Sequence, residues 1–307
     1  MNDFKGEAAV PKKLEQFPWG APNQFLGLPP EHSNFESARV VILPVPYQAT
    51  VSWMSGTKNG PSAMVNASQY VELYDHELDR EPYKIGIHTL PELLLPATGP
   101  KEALEVLGNA VGSLLDEGKF VIMIGGEHSL SSPPILQHAE RMGAKKLSVL
   151  QLDAHTDLRD EYDGTPFSHA CVMHRVHESV DIVPVGIRSM TSEERSLAKE
   201  KNIPILFGHE LETPGWIDRV MERLGPDVYI TFDVDYFDPS VMPATGTPEP
   251  GGGFWYPTMQ LLERVFREKN VVGCDVVELA PIPGFVAPDF LVAKLVYKMI
   301  GFRHFNS

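Results

Sequence analysis

The sequence predicts an α/β protein in which one mainly parallel sheet lies between two layers of helices. Short apolar runs alternate along the chain with longer segments of helical periodicity, as in doubly wound folds. Several of these runs are apolar at consecutive positions, which is typical of strands buried on both faces. No internal repeat, low-complexity tract or flexible linker divides the chain, so residues 1–307 are predicted to form a single domain.

The predicted strands begin after an irregular, Pro-rich leader that spans residues 1–30. The first of them, residues 38–45, is rich in β-branched side chains and favours a buried strand. Six further apolar runs are predicted as strands: residues 120–124, 147–152, 182–187, 203–207, 228–232 and 271–277.

Helical spacing of apolar residues marks segments between these strands. In residues 102–115 the apolar side chains recur three and four positions apart, and Gly118 follows where such a helix can end. Residues 258–270 and 290–302 show a similar pattern and are also predicted as helices.

Composition disfavours several classes of function. The 26 Lys and Arg residues against 41 Asp and Glu give a formal net charge of −15, which disfavours nucleic-acid binding because that depends on neutralising phosphates. No apolar run is long enough to span a membrane, and residues 1–7 carry charges where a signal peptide is apolar. The two cysteines, Cys171 and Cys274, lack the spacing of a zinc site or a disulfide framework. We therefore expect a cytoplasmic protein with no nucleic-acid or membrane partner.

Polar residues follow three of the predicted strands at their carboxyl ends, where open parallel sheets bind ligands. One strand leads through a Gly-Gly turn to a histidine, a second to two aspartates that flank a histidine, and a third to two alternate aspartates. These residues are His128, Asp153, His155, Asp157, Asp233 and Asp235. Alternate strand positions face the same side, and buried like charges are costly without a cation between them.

Two imidazoles and four carboxylates form a ligand set that suits dications such as Mn²⁺. A single zinc ion needs only three or four of these groups, whereas two dications balance all four carboxylates and can activate a water for attack. Taken singly, each group keeps a structural alternative: a hydrogen-bonded His128, a solvated turn at Asp153 or a helix cap at Asp233. Together they favour a binuclear metal centre.

The chain contains, in this order, the segments GGEHS, DAHTD and FDVDYFDPSVMPATGTPEPGG. They resemble the metal signatures of the ureohydrolase family, which includes arginases and agmatinases. The resemblance extends from about Val40 to Pro281, and the residues around positions 157–162 and 168–173 are most similar to the compact bacterial and archaeal agmatinases. It implies an arginase-like α/β/α sandwich, two Mn²⁺ per chain and a homo-oligomer, either a trimer or a hexamer.

The resemblance also implies how the metal ligands are divided. One Mn²⁺ would be bound by His128, Asp153, Asp157 and Asp235. The other would be bound by Asp153, His155, Asp233 and Asp235.

Further roles follow from the same resemblance. His169 would contact the substrate and pass protons to the leaving amine, unless it is simply a residue at a helix start. Asp157 would also orient the attacking water, and Glu278 would bind the substrate guanidinium, a pairing that suits a carboxylate. Thr247 would shape the pocket, although an ordinary loop hydroxyl is an equal alternative.

The segment 159–163 is predicted to select the substrate by its tail. Its three acids favour a cationic tail, with Glu161 and Arg159 as candidate contacts, so we expect cleavage of agmatine to putrescine and urea. Guanidinobutyrate is an alternative substrate because Arg159 could pair with its carboxylate. Arginine and formiminoglutamate are further substrates of the family. In each case the expected partner is a small guanidino compound.

Two alternatives belong to other classes of protein. One is a single-zinc amide hydrolase of the deacetylase type, and the other is a catalytically silent metal-binding homologue. His174 and His177 share a helix face and could hold a metal in principle, but they lack a carboxylate partner at helical spacing and are expected to serve a surface role.

Overall fold

Parallel strands form a single sheet in the computed structural model, which describes residues 23–143 and 147–305. Most of the predicted leader, residues 1–22, and with it the N-terminal stretch 1–7, lies outside the described residues. Within them the sheet has eight strands: β1 Val40–Val45, β2 Ile87–Thr89, β3 Phe120–Gly125, β4 Leu147–Leu152, β5 Asp181–Ile187, β6 Leu206–Phe207, β7 Asp227–Asp233 and β8 Asn270–Val277.

The order of the strands is β2-β1-β3-β8-β7-β4-β5-β6, and every neighbouring pair is parallel. The four central strands are therefore β3, β8, β7 and β4, which are far apart in sequence. Because they are parallel, their carboxyl ends meet at one edge of the sheet. Any polar residues that follow these strands are brought together there.

Helices cover both faces of the sheet. Their bounds are α1 Pro30–Ser33, α2 Gly60–Ser68, α3 Pro100–Asp116, α4 Ser132–Met142, α5 Val172–Val176, α6 Ser192–Glu200, α7 Trp216–Met221, α8 Trp255–Glu268 and α9 Ala287–Phe305. Buried residues of α2, α7, α8 and α9 pack on one face, and those of α3, α4, α5 and α6 pack on the other. Along β1, Ile42 joins the first core and Leu43 the second, which is the alternation of a strand buried on both sides. The predicted three-layer α/β fold is confirmed.

Some predicted boundaries were wrong. The strand expected at 203–207 is only Leu206–Phe207, because the amide of Ile203 bonds to Ala198 O at the end of α6 and Pro204 has no amide hydrogen. The helix expected at 258–270 ends at Glu268, and Asn270 instead begins β8, its amide bonding to Pro226 O. Strand β2 was missed because it is three residues long and lies at the sheet edge.

Two further expectations concern thiols and membranes. Cys171 and Cys274 are free, as expected from their spacing, and both are buried. Burial raises the pKa of the Cys171 thiol to about 11. Across residues 23–143 and 147–305, none of the helices combines the length and apolar character that crossing a bilayer would need.

Candidate active site

His128 is the point on which three carboxylates converge. Its Nδ1 lies 2.9 Å from Asp157 Oδ2, 3.2 Å from Asp153 Oδ2 and 3.4 Å from Asp233 Oδ2. All four side chains are buried. The chain reaches this position through Gly126, where an added Cβ would lie 1.8 Å from Tyr47 O, so the close approach requires glycine.

The donor set around His128 fits a metal ion. Nδ1 is buried and has no hydrogen-bond partner of good geometry among the described residues. It lies within 4.8 Å of carboxylate oxygens of Asp153 and Asp157, which is close enough for one cation to bind all three. On its other side, His128 Nε2 is 3.0 Å from Thr231 Oγ1, which fixes the ring and turns Nδ1 toward the acids.

A second metal-capable group consists of Asp153, His155 and Asp235. His155 Nδ1 lies 2.9 Å from Asp235 Oδ2 and 3.7 Å from Asp153 Oδ1. Asp153 thus presents Oδ2 to His128 and Oδ1 to His155. A carboxylate shared by two groups is what a binuclear centre requires, and the residues present fit two dications.

The predicted division of ligands needs one correction. Asp235 was expected to bind both ions; it lies beside His155, as expected, but the third carboxylate beside His128 is Asp233. The reason is the turn after β7: Asp233 Oδ1 accepts a hydrogen bond from the amide of Asp235, and the Asp235 carboxylate turns to accept one from the amide of Ala154. The two aspartates therefore point to different histidines.

Without a cation, protons compensate the charge of the site. Burial opposes a charged His128 ring, yet the nearby carboxylates of Asp153, Asp157 and Asp233 raise its pKa well above the ordinary value. Burial likewise opposes a charged His155, but the charge of Asp235 raises its pKa to about 12. Burial and the charge of Asp153 raise the pKa of Asp157 to about 6.

We expect metal binding to release protons. The raised pKa of both histidines favours their protonated forms in the metal-free protein, whereas both must be neutral to bind a cation, so Mn²⁺ affinity should fall as the pH falls. Titration calorimetry at one pH in buffers of different protonation enthalpy measures this release. Equal apparent enthalpies in all buffers would mean that binding releases no net protons, which would contradict this expectation.

A cavity of about 290 Å³ opens above the two groups and contains most of the other predicted site residues. His169, Thr247 and Arg159 line it together with Glu278. Glu161 is exposed and does not line the cavity, so its predicted substrate contact stays a prediction that this geometry does not support.

Glu278 is held at the end of β8 with one oxygen engaged. Its Oε1 accepts a hydrogen bond from the amide of His128 at 2.6 Å, which leaves Oε2 for a ligand. Burial raises the pKa of Glu278 to about 8. A buried carboxylate of this kind is suited to bind a cation such as guanidinium.

His174 and His177 belong to neither metal-capable group found in the described part of the chain. His174 Nδ1 instead lies 3.1 Å from Leu158 O, and its Nε2 pairs with the exposed Asp160 at 3.3 Å. This agrees with a role outside the metal centre.

Sequence reasoning missed the residues that support the ligands. Asp275 lies buried in β8 and accepts hydrogen bonds from Thr231 Oγ1 at 2.8 Å and Tyr229 OH at 2.9 Å, so it anchors the threonine that touches His128. Glu194 accepts from Thr156 Oγ1 at 2.8 Å and from the amide of Leu158 at 3.0 Å, which ties α6 to the aspartate-rich loop. The one sequence feature that could have indicated them is Asp275, a charged residue inside the apolar run of β8.

Comparison with known proteins agrees with this site. The profile of the arginase family matches residues 38–301. The N(1)-aminopropylagmatine ureohydrolase of Synechocystis sp. is 38% identical over 296 residues, which are 92% of this chain and 96% of that protein. The agmatinase of Bacillus anthracis is 35% identical over 259 residues, 82% of this chain and 87% of that protein.

The crystal structure of the agmatine ureohydrolase of Thermoplasma volcanium superposes with a TM-score of 0.82 at 27% identity, covering 92% of this chain and 95% of that chain. The chain therefore belongs to the arginase family of hydrolases and is an agmatinase-like ureohydrolase.

Proposed function

We propose that the protein uses two Mn²⁺ ions to hydrolyse the guanidino group of a linear cationic amine, releasing urea and a primary amine. The observation that carries this proposal is the shared Asp153, which joins two metal-capable groups at the floor of a cavity lined by Glu278 and His169. The oxygen and imidazole donors suit Mn²⁺.

Each of the residues around the cavity has a separate role in the proposed reaction. When bound, the dications would supply an activated water as the nucleophile. Glu278 binds the guanidinium through Oε2 and holds its carbon over the metal-capable groups. Asp157 orients the attacking water, and His169 delivers a proton to the amine as it leaves.

Agmatine is the first candidate substrate, as predicted from the sequence. The second is N(1)-aminopropylagmatine, on which the Synechocystis relative is named to act and which was not considered from the sequence. Glu249 favours the longer compound, because it lines the cavity and its carboxylate forms no hydrogen bond or ion pair with any described residue. Its backbone oxygen accepts a hydrogen bond from Arg188 at 2.7 Å, which fixes the loop that carries this side chain beside the cavity.

Urea release from a panel of guanidino compounds tests the proposed reaction. The panel contains agmatine, N(1)-aminopropylagmatine, guanidinobutyrate, arginine and formiminoglutamate, each with Mn²⁺. We expect urea from one or both cationic amines. Release of ammonia or formamide without urea would exclude the reaction, and a preference for guanidinobutyrate would exclude only the cationic tail.

Glu278→Gln should impair every substrate in the panel alike, because it removes the charge that pairs with the shared guanidinium. Breaking a buried pair costs about 3–5 kcal/mol, which corresponds to a loss of roughly 10²- to 5 × 10³-fold in kcat/KM. A loss confined to one substrate would show that Glu278 recognises a tail.

Glu249→Gln should change substrate preference rather than activity in general. A half-exposed ion pair is worth up to about 1 kcal/mol, so the kcat/KM ratio of N(1)-aminopropylagmatine to agmatine should fall about two- to fivefold. The matched variant Glu161→Gln, also Glu to Gln but outside the cavity, should change this ratio less. If Glu161→Gln has the larger effect, the segment 159–163 selects the tail as first predicted.

We also propose a homo-oligomer, either a trimer or a hexamer, in the cytoplasm, with no nucleic-acid or membrane partner. The family resemblance supports the assembly, the two free thiols support a reducing compartment, and the net charge of −15 disfavours nucleic acid.

A further inference from the structure

A buried carboxylate that belongs to neither metal-capable group of the described residues is connected to the proposed proton shuttle. Glu127 is fully buried, and its Oε1 accepts a hydrogen bond from Thr50 Oγ1 at 2.7 Å. Thr50 Oγ1 in turn lies 3.3 Å from His169 Nδ1. Glu127 is therefore connected to His169 through a single hydroxyl group.

Every acceptor position of Glu127 is occupied by a donor. Oε1 accepts from Thr50 Oγ1 and from Ser129 Oγ, both at 2.7 Å. Oε2 accepts from the amides of Ala49 and Thr50. Four donors fill the four lone-pair sites of a carboxylate and leave no position for a proton.

The hydroxyl of Thr50 has a single hydrogen, which it donates to Glu127. Toward His169 it can only accept, and it does so from the backbone amide of that residue at 3.0 Å. Its remaining lone pair faces His169 Nδ1, so an attractive contact there requires a hydrogen on Nδ1. Burial lowers the pKa of His169, which keeps the ring neutral with one hydrogen to place.

We propose that Glu127 and Thr50 are positioning residues that hold His169 in the tautomer with its hydrogen on Nδ1. Resting on the proposed function, this makes Nε2 the atom that takes up the proton lost by the attacking water. Nε2 then passes that proton to the amine nitrogen as the C–N bond breaks, while Nδ1 keeps its hydrogen throughout. The other tautomer would place a hydrogen where the base must be.

The hydroxyl of Ser168 is a second possible hydrogen-bond partner of His169 Nδ1, in competition with Thr50. Its Oγ lies 3.2 Å from His169 Nδ1 and also accepts from the amide of Ala170 at 3.4 Å. As a donor to an unprotonated Nδ1, Ser168 would enforce the opposite tautomer. The two assignments therefore make opposite predictions for the ring.

Nitrogen NMR of the full-length protein decides the tautomer without any substrate. The protein is labelled with ¹⁵N-histidine and loaded with diamagnetic Mg²⁺, and the His169 signals are identified by their loss in His169→Asn. We expect Nδ1 to be protonated and Nε2 bare in the wild type and in Ser168→Ala, and a shift toward the other tautomer in Thr50→Val. A protonated Nε2 in the wild type, or a tautomer change in Ser168→Ala alone, would overturn the proposal.

A double-mutant cycle tests the consequence for the reaction, measured as urea release with Mn²⁺. Thr50→Val should lower kcat at least about tenfold, but by no more than the roughly 10²–10⁴-fold that general acid catalysis contributes, with KM and Mn²⁺ content unchanged. Thr50→Ser keeps the hydroxyl and should restore kcat to within a few-fold of the wild type. In a His169→Asn background, Thr50→Val should cause no further loss.

Two results of the cycle would contradict the proposal: effects of Thr50→Val and His169→Asn that multiply, or a Thr50→Ser enzyme as slow as Thr50→Val. If the wild type releases no urea from any guanidino compound, the proposed function fails, but the NMR measurement still decides the tautomer.

Discussion

Replacing Asp153 with asparagine should empty both metal sites and abolish urea release. Asp153 is the residue common to the two metal-capable groups, with Oδ2 3.2 Å from His128 Nδ1 and Oδ1 3.7 Å from His155 Nδ1. Asparagine keeps the shape but removes the charge and one of the two acceptor oxygens. The loss of Mn²⁺ affinity should exceed the roughly 10–100-fold typical of outer-shell substitutions.

Elemental analysis after dialysis against Mn²⁺ measures this effect. Asp116→Asn is the matched control, because Asp116 is an exposed residue at the end of α3 that pairs with Arg141. It should keep its full metal content and activity. An Asp153→Asn protein that retains two Mn²⁺ per chain would show that Asp153 is not shared between the sites.

Replacing His169 with asparagine should slow the reaction by about 10²–10⁴-fold while leaving the metal content unchanged. His169 lines the cavity but belongs to neither metal-capable group, so its loss removes a proton donor and no ligand. The effect should fall on kcat, because the guanidinium contact of Glu278 is intact.

Steady-state kinetics and metal analysis of the same sample separate the two roles. His177→Asn, which alters a histidine outside the cavity, controls for a general effect of removing imidazole. If His169→Asn loses Mn²⁺ in proportion to its activity, the residue is a ligand rather than a proton shuttle.

The metal-capable residues could be predicted because their positions follow from topology. His128 and Asp153 follow two central strands of the parallel sheet and Asp233 ends a third, and parallel strands present their carboxyl ends at one edge. Their acidity and spacing then indicate a cation. This reasoning needs only the strand positions and the alternation of side chains.

The division of ligands could not be predicted in the same way. Asp233 and Asp235 are alternate residues, but the turn after β7 breaks the strand geometry between them, and the hydrogen bond from Asp235 N to Asp233 Oδ1 sends them to different histidines. Alternation predicts a shared face only while the strand continues.

Contacts between residues far apart in the chain could not be predicted from the sequence either. Glu127 accepts a hydrogen bond from Thr50, which lies 77 positions away in the sequence. Glu249 lines the cavity on a loop whose backbone is hydrogen-bonded to the distant Arg188. Glu161 was the acid chosen from the sequence, yet it is exposed and does not line the cavity, whereas Glu249 does. Such residues have ordinary local patterns, so only the folded chain distinguishes them.

The most direct test of the binuclear site is a titration of the metal-free protein with Mn²⁺ while urea release is measured at each step. Asp153 joins two sites into one centre, so we predict that the rate rises until two Mn²⁺ are bound per chain and then stays constant. Full activity at one metal per chain, or a single tightly held zinc ion that supports the reaction, would contradict a two-metal mechanism.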